Sequence, residues 1–178
     1  MLKHIRLRYD PIADRLLLDL QMATPQGGLE SHLLHLTRRI VHRWRGELQA
    51  MVDMSAELPQ RMDPAARAAI SQAHHQAMSA QVNARTEPAP PAEAEVQGEP
   101  PRLVTRIGCG RHKLDGRWVL QFECQTGAPL TLVLGTKTLH GLVDALSRRV
   151  QSAQWGLPAV ATERQAVSAP PPTGGALH

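Results

Sequence analysis

Apolar and polar residues alternate along two separate stretches of the chain, and each stretch then changes to a helical pattern. In the first stretch, apolar residues alternate with polar ones over 5–9, a turn follows at 10–14, and the alternation resumes over 16–20. Two runs of period two around a short turn predict a β-hairpin. A third run over 32–36 leads into an apolar stripe of helical period. The sequence therefore predicts a β-β-β-α fold for residues 4–54.

Residues 103–153 repeat this order of runs, turns and helical stripe. The two copies align when 102 is added to each number in the hairpin and 98 is added after a loop that is four residues shorter in the second copy. A repeat of about 50 residues predicts an internal duplication. The aligned pairs are Ile5 with Ile107, Leu16 with Trp118, Leu18 with Leu120, Leu20 with Phe122, Leu34 with Leu132, Leu36 with Leu134, Val41 with Leu139, Trp44 with Leu142, Leu48 with Leu146 and Val52 with Val150.

The predicted fold class is α+β, with duplicated β-β-β-α repeats packed with pseudo-two-fold symmetry. Each repeat is too small to bury a good core, so the copies are expected to pack on each other, or each on a second chain. The expected arrangement is antiparallel sheets with helices on one face. Trp44 and Leu142 are then expected at equivalent core positions, each facing the sheet of its own repeat.

Helix boundaries and linkers divide the chain further. Thr37 and Thr136 are predicted to cap the two repeat helices, and Asp63-Pro64 opens an additional helix in the N-cap and N1 arrangement. This helix is expected to pack weakly through a face of small residues, namely Ala66, Ala69, Ile70, Ala73, Ala77 and Met78. The predicted organisation is a first repeat at 1–58, an appended helix at 59–85, a flexible linker rich in proline and glutamate at 86–102, a second repeat at 103–157 and a disordered tail at 158–178.

Composition narrows the class of protein only slightly. The 178 residues carry a formal charge of +4 and a pI near 9.7, which permit contact with nucleic acid without requiring it. Aromatic residues make up 3%, so the core is expected to consist of Leu, Val and Ile. Cys109 and Cys124 do not face each other in the predicted hairpin, so no disulfide is expected. Without an apolar run of signal or membrane length, the expected compartment is the cytoplasm.

Histidines are the first candidates for chemistry, and no metal site is predicted from them. If residues 32–36 form a strand, His32 and His35 point to opposite faces, and His42 lies on the following helix. If the helix began earlier, the three would lie near one face, so a metal site stays open as an alternative. His74 and His75 diverge by about 100° on a helix, and we expect them to be solvated.

The second candidate is the segment Gly108-Cys109-Gly110, which is followed by a strand and not by the helix N-terminus that a phosphate loop requires. These glycines are expected to mark a bulge or twist in a strand. Cys109 is expected to be structural, with a reactive thiol near Arg111 and His112 as the alternative. No set of acid, base and nucleophile can be assembled, so we expect neither catalysis nor a cofactor.

Basic residues form the third candidate. A helical wheel places Arg38, His42 and Arg45 on one side of the first helix, as a positive ridge that could contact phosphates. The alternative is an ordinary solvated helix face. Two arginines of the first strand alternate with apolar residues and face outward. The candidate binding surface consists of Arg6, Arg8, Arg38, Arg39, His42, Arg43 and Arg45.

These observations favour a non-enzymatic interaction module, a scaffold or adaptor that binds protein partners and self-associates as a dimer or other homo-oligomer. A nucleic-acid-binding protein that uses the basic sheet face and the first helix is the alternative. An enzyme or redox protein built around Cys109 is the third hypothesis. The scaffold hypothesis rests on the small duplicated body and the long polar tethers.

Overall fold

The computed structural model describes residues 2–59, 61–83 and 100–157, over which the chain forms six strands and three helices. Most of the predicted linker and the predicted tail, residues 84–99 and 158–178, lie outside the described residues. The elements are β1 (Leu2–Asp10), β2 (Arg15–Ala23), β3 (Leu29–Thr37), α1 (Arg38–Ser55), α2 (Pro64–Asn83), β4 (Arg102–Arg111), β5 (Trp118–Cys124), β6 (Leu130–Leu134) and α3 (Thr136–Ser152).

The six strands form one mixed sheet in the order β1-β2-β3-β4-β5-β6. Neighbours are antiparallel except at the centre, where β3 and β4 run parallel and pair Leu34 with Arg102 and His35 with Leu103. The α+β class predicted from the sequence is confirmed. The expectation of antiparallel sheets alone was wrong, because a parallel pair joins the two hairpin units. Arg102, placed in the linker by the sequence, begins β4.

Every second side chain of the strands points to one side of the sheet. Helices α1 and α3 pack on that side and bury these side chains. We call this the inner face, and the opposite side the outer face. The period-two pattern of leucines in β2 and the helical stripe of α1 both place their apolar side chains in this core, as predicted. The largest fully buried side chains are Trp118, Phe122, Leu16, Leu18, Leu20, Leu34, Leu36, Leu48, Leu120, Leu132, Leu134 and Leu139.

Each of these two helices also contacts strands of the other unit. The indole of Trp44 on α1 lies edge-on to Phe122, with ring centroids 5.9 Å apart. On α3, Nε of Arg149 donates to the carbonyl oxygen of Leu7 at 3.0 Å. The expectation that Trp44 faces the sheet of its own repeat was therefore wrong, although Trp44 and Leu142 are both buried.

The two helices begin differently. Thr37 caps α1 as predicted, since its hydroxyl accepts from the amide of Ile40 at 3.3 Å. Gly135, not Thr136, occupies the N-cap position of α3. The Thr136 hydroxyl lies 3.4 Å from the indole nitrogen of Trp118 and accepts its N–H. The prediction of a matching Thr136 cap was wrong, because Thr136 is the first residue of α3 and the shift of 98 residues places Gly135, not Thr136, opposite Thr37.

Helix α2 begins as predicted but packs through another face. A carboxylate oxygen of Asp63 accepts from the amide of Ala66 at 2.9 Å, the expected cap. The predicted packing face is turned outward, with Ile70 43% exposed. The buried side chains are instead Ser71, His75 and Ser79, which share one side at a spacing of four residues. The appended helix therefore attaches through polar contacts that its small-residue pattern does not predict.

Close packing of α2 on α3 depends on Gly141. A Cβ atom at Gly141 would lie 2.8 Å from Cγ1 of Val82, closer than side chains tolerate. Glycine at this position of α3 therefore lets the two helices approach.

Candidate functional site

The basic residues of the first strand lie on the outer face. Arg6 and Arg8 alternate with buried Leu7, and their cross-strand neighbours on β2 are Asp19 and Leu17. Both arginines are half-buried. This part of the candidate binding surface is therefore a cationic strip along one edge of the sheet, beside an apolar side chain and a carboxylate.

The basic residues of α1 lie at its N-terminal end. Arg38, Arg39, His42 and Arg43 are exposed. The first turn holds no acidic residue, so the positive end of the helix dipole has arginines beside it instead of the carboxylates that would stabilise it. The result is a concentrated positive potential on the solvent side of α1.

Arg45 departs from this ridge. Its side chain is 4% exposed, so it does not share the solvent side with Arg38 and His42 as the helical wheel predicts. The remaining residues also divide between two sides of the molecule. Arg6 and Arg8 lie on the outer face, whereas α1 covers the inner face and turns its basic ridge away from it. The seven residues of the candidate binding surface therefore do not form one continuous patch.

A small cleft lies between α1 and β4, next to the basic ridge. It encloses about 160 Å³ and is lined on the helix side by Arg43, Trp44 and Glu47 and on the strand side by Arg106 and Ile107, among others. Arg106 also pairs with Glu123 at 3.5 Å. With a carboxylate among two guanidinium groups, the cleft does not offer a purely cationic site for a phosphate.

A wider depression of about 460 Å³ lies over the second hairpin, and Gly108 and Gly110 line it. Both glycines pair regularly with β5, and the irregularity in β4 falls between Val104 and Arg106. The expectation that the glycines mark a bulge was therefore wrong. Because glycine has no side chain, Gly108 and Gly110 leave two successive outward positions of the strand empty, and the depression stays open.

Two of the basic residues around this depression, Arg111 and His112, are committed to other contacts. Arg111 donates to the carbonyl of Gly116 at 2.8 Å and to Glu57 at 3.1 Å, and its guanidinium stacks 5.3 Å from the centre of the Trp118 ring. His112 lies 2.8 Å from Asp115, whose pKa is lowered to about 2 mainly by the backbone amide of Arg117. These contacts fix the β4–β5 turn and leave the depression without a converging set of charges.

Cys109 lies on the inner side of β4, where Trp44 covers it. The indole N–H of Trp44 donates to the cysteine sulfur at 3.3 Å. Burial and a hydrogen bond with Glu47 raise the pKa of the thiol to about 12, although the hydrogen bond from Trp44 acts in the opposite direction. Cys109 and Cys124 are both free thiols. A half-buried thiol with this pKa stays protonated at neutral pH, which opposes the reactive-cysteine hypothesis.

The histidines of the first unit lie apart, as predicted for a strand. His32 pairs with buried Leu20 and His35 pairs with Leu17, whose side chain faces outward, so the two rings lie on opposite sides of β3. His42 is exposed on α1. Within the described ranges, no group of three or more His, Cys, Asp or Glu side chains is arranged to hold a metal ion.

A histidine cluster that the sequence does not predict lies between α2 and α3. His75 and His140 are buried, and their Nδ1 atoms lie 2.7 Å apart. His74 places its ring edge-on to that of His140, with centroids 5.1 Å apart. The expectation that His74 and His75 are solvated was therefore wrong, because His75 is buried and His74 is half-buried with a buried Nδ1 atom. Two features of the sequence could have indicated this cluster. One is the spacing of Ser71, His75 and Ser79 along one side of α2, and the other is the position of His140 within the apolar stripe of α3.

The cluster continues to the end of α1 through Ser55. The Ser55 hydroxyl donates to the carbonyl of Val52 at 2.6 Å and lies 2.8 Å from Nε2 of His140. Because the hydroxyl proton is committed to the backbone, we assign the Nε2 proton to His140, which donates it to Ser55. Nδ1 of His140 then accepts from Nδ1–H of His75. The result is a chain of hydrogen bonds across three helices.

This chain has the order serine, histidine, histidine, but its geometry is not that of an activated nucleophile. Activation requires the histidine to accept the hydroxyl proton, whereas Ser55 gives that proton to Val52. His140 is 0% exposed, so a substrate cannot approach its ring. Burial, together with the charges of the neighbouring His75 and His74, lowers the pKa of His140 to about 4. The cluster is therefore a structural junction with titratable members.

Comparisons with known proteins give no match to a protein family, to a curated protein or to a solved structure. In the described part of the chain, none of the helices is long and apolar enough to cross a membrane.

Proposed function

We propose that this chain is a non-enzymatic interaction module that binds protein partners and self-associates through the outer face of its sheet. The observation that carries this proposal is that the described helices cover one face of the sheet and leave the other uncovered. Helices α1 and α3 pack on the inner face, and α2 packs on those helices through its contacts with Asp53 and His140. None of the described helices covers the outer face, and an uncovered sheet face that bears apolar side chains favours association.

The outer face carries apolar side chains from both units. They are half-buried or exposed, with Leu29 66% and Val133 36% exposed. Charged side chains surround them, including Arg6, Arg8 and Glu123, an arrangement typical of an interface with an apolar centre and a polar rim. The apolar members of this face are Leu17, Leu29, Leu33, Leu103, Val119 and Val133.

A sedimentation experiment tests this proposal. Wild-type protein at micromolar concentration is expected to sediment as a dimer or higher homo-oligomer. Leu33→Arg and Val119→Arg each place a charge at the centre of the outer face and should weaken association at least about tenfold. Leu114→Arg changes a residue that is 92% exposed in the β4–β5 turn and serves as the matched control. A wild-type monomer, or outer-face variants that associate as tightly as this control, would overturn the proposal.

We also propose that the two β-β-β-α units arose by internal duplication. The pairing of Ile5 with Leu20 in the first hairpin recurs as Ile107 with Phe122 in the second, a shift of 102 residues on both strands. The register irregularity next to Lys3 recurs at the position 102 residues later. These registers support two copies related by pseudo-two-fold symmetry. A symmetric pair of units also gives the outer face similar apolar positions in both halves.

Nucleic-acid binding is the second candidate, and the placement of Arg38 and Arg39 favours it. Cations at a helix N-terminus oppose the dipole and destabilise the helix by about 0.3–1 kcal/mol each, so their presence there suggests another use. A phosphate bound at this surface would contact arginine side chains and the positive end of the helix dipole together.

Titration with single- and double-stranded oligonucleotides at two salt concentrations separates the two functions. A combined Arg38→Gln, Arg39→Gln and Arg43→Gln variant should lose binding and reduce its salt dependence if α1 contacts phosphates. A variant with the same loss of charge at the exposed residues Lys3, Lys113 and Lys137 serves as the control. If the wild-type protein does not bind at low salt, the nucleic-acid function is excluded and the interaction module stands alone.

A further inference from the structure

We propose that protonation of the buried His75–His140 pair releases α2 from α3, so that the docking of α2 is a pH-sensitive switch. The pair lies at the centre of the α2–α3 contact. Nδ1 of His75 is 2.7 Å from Nδ1 of His140, and Ser79 of the same helix lies 3.4 Å from the His140 carbonyl. This inference is independent of the interaction proposed for the outer face.

The short distance between the two Nδ1 atoms restricts the protonation states that docking permits. With both rings neutral, one Nδ1 donates and the other accepts, and every donor in the chain to Ser55 has an acceptor. With both rings protonated, two N–H groups would point at each other across 2.7 Å, and two cations would be adjacent in a buried site. Separation of the two helices removes both penalties.

In the described part of the chain, the groups of α2 and α3 around the pair offset this penalty only in part. On α3, Asp144 favours protonation of His75, but it already pairs with Arg148 at 2.9 Å. On α2, the Nδ1 atom of His74 is buried and, among the described residues, has no hydrogen-bond partner, and a positive His74 ring would add to the repulsion. The cost of protonating the pair depends on these groups of α2 and α3 and also on the groups of α1 that face the pair.

The facing groups of α1 also leave the pair uncompensated. Ser55 accepts from His140, and Asp53 accepts from Ser71 of α2 at 2.7 Å and from Gln49 at 3.0 Å. Arg45 lies two turns before Asp53 on the same side of α1 and is cationic. The one carboxylate that α1 turns toward α2 is therefore committed to serine and amide donors.

Helix α2 is the element expected to move. Its buried side chains are two serines and a histidine, whereas α1 and α3 contribute large apolar side chains to the core. Its apolar Ile70 is 43% exposed and contributes little to docking. An element held by few apolar contacts opens at a lower free energy than the core, so α2 can separate while the sheet, α1 and α3 stay folded.

The sign of the pH dependence follows from the direction of the pKa shifts. Burial lowers the pKa of both His75 and His140 from 6.5, the latter to about 4. Between pH 4 and pH 6.5, the state with α2 undocked therefore binds more protons on His75 and His140 than the docked state. Docking is fully stabilised above about pH 6.5 and is lost as the pH falls from 6.5 toward 4. Asp14 and Asp115 titrate below their usual 3.8, outside this window.

Amide hydrogen exchange of the full chain at about pH 7.5 and about pH 5 tests the switch, with exchange times scaled for the intrinsic pH dependence. Peptides from α2 should lose protection about tenfold at the lower pH, while peptides from α1 and α3 keep theirs. Glutamine keeps hydrogen-bonding capacity without titrating, so a combined His75→Gln and His140→Gln variant should show no change between the two pH values. His42→Gln, at an exposed position of α1, should behave as wild type.

The switch is overturned if wild-type α2 is equally protected at both pH values, if α2 and α3 lose protection together, or if the pH response persists in the folded double variant. Circular dichroism establishes whether that variant folds. If it does not, NMR titration of the wild-type histidines decides the matter. A His140 pKa clearly below the usual 6.5 supports the switch, and a His140 pKa at or above 6.5 overturns it.

Discussion

Trp44 on α1 donates its indole N–H to the sulfur of Cys109 on β4, across 3.3 Å, although the two residues are 65 positions apart in the chain. The contact fixes the helix of the first unit over the first strand of the second. It also covers the thiol that the sequence offers as a candidate nucleophile. One contact therefore contributes both to the assembly of the two units and to the chemistry that Cys109 can perform.

Cys109 is predicted to label slowly with thiol reagents. A rise of its pKa from 9.0 to about 12 reduces the thiolate population at a fixed pH by about a thousandfold. Labelling kinetics of a Cys124→Ser variant, which leaves Cys109 as the one thiol, measure this directly. Trp44→Phe keeps an aromatic ring over the sulfur but removes the indole hydrogen bond that lowers the pKa of the thiol, so it should slow the labelling further. Labelling of native Cys109 as fast as in the unfolded chain would contradict its protected position and reopen the redox hypothesis.

Loss of the Thr37 cap is predicted to destabilise the protein more than loss of Thr136. Thr37→Ala removes the acceptor for the Ile40 amide and should lower the free energy of unfolding by about 0.5–2 kcal/mol. Thr136→Ala removes only a long contact with Trp118 and should cost less. Urea unfolding of both variants makes the comparison. Equal losses would show that Thr136 acts as a cap after all.

Alanine is predicted to have opposite effects at two helical glycines. Gly46 on α1 has open space around it, so Gly46→Ala should stabilise the protein by about 0.5–1 kcal/mol through helix propensity. At Gly141 the added methyl group meets Val82 at 2.8 Å, so Gly141→Ala should destabilise the docking of α2. Thermal unfolding and exchange protection of α2 measure the two effects.

A second substitution tests the cause of the Gly141 effect. Val82→Ala removes the side chain that the new methyl group would meet, so the combined variant should recover part of the lost α2 protection. If Gly141→Ala stabilises the protein as much as Gly46→Ala, the close approach of α2 and α3 is not present in solution.

The acid titration of Asp14 is predicted to depend on Trp155. The indole N–H donates to the carboxylate at 2.7 Å, which holds the pKa of Asp14 below 3.8, and Tyr9 donates a second hydrogen bond. This pair therefore stabilises the fold above about pH 3.8, and the stabilisation is lost as the pH falls below that value. Trp155→Phe should raise the pKa of Asp14 toward its usual value. Carboxyl NMR measures it, with Asp115 as the unaffected control.

The parts of the fold that follow from local pattern could be predicted. The alternation of Leu16, Leu18 and Leu20 gives a strand with one buried side, and Thr37 before a helical stripe gives a capped helix, because both depend on neighbours in the chain. The parallel pairing of β3 with β4 joins segments that are distant in sequence. Residue pattern does not specify which strands become neighbours across such a connection.

The histidine cluster could not be predicted for a related reason. The alanines of α2 make its small-residue side the expected packing face, but the buried face is set by what α1 and α3 present. Asp53 of α1 and His140 of α3 offer hydrogen-bonding atoms, so Ser71 and His75 turn inward. Arg45 was likewise placed on the solvent side by the helical wheel, but its side chain is buried in the structure.

Side-chain footprinting with hydroxyl radicals tests the proposed use of the outer face most directly, because it reports the solvent exposure of individual residues. In wild-type protein at associating concentrations, Leu29 and Val133 should be oxidised more slowly than in the Leu33→Arg and Val119→Arg variants. Leu33 should likewise be oxidised more slowly in the wild type than in Val119→Arg, the variant that retains this leucine. Ile12 and Leu114, 98% and 92% exposed in turns, should be oxidised equally in all of them. Equal oxidation of the outer face in wild type and variants would contradict its role as the interaction surface.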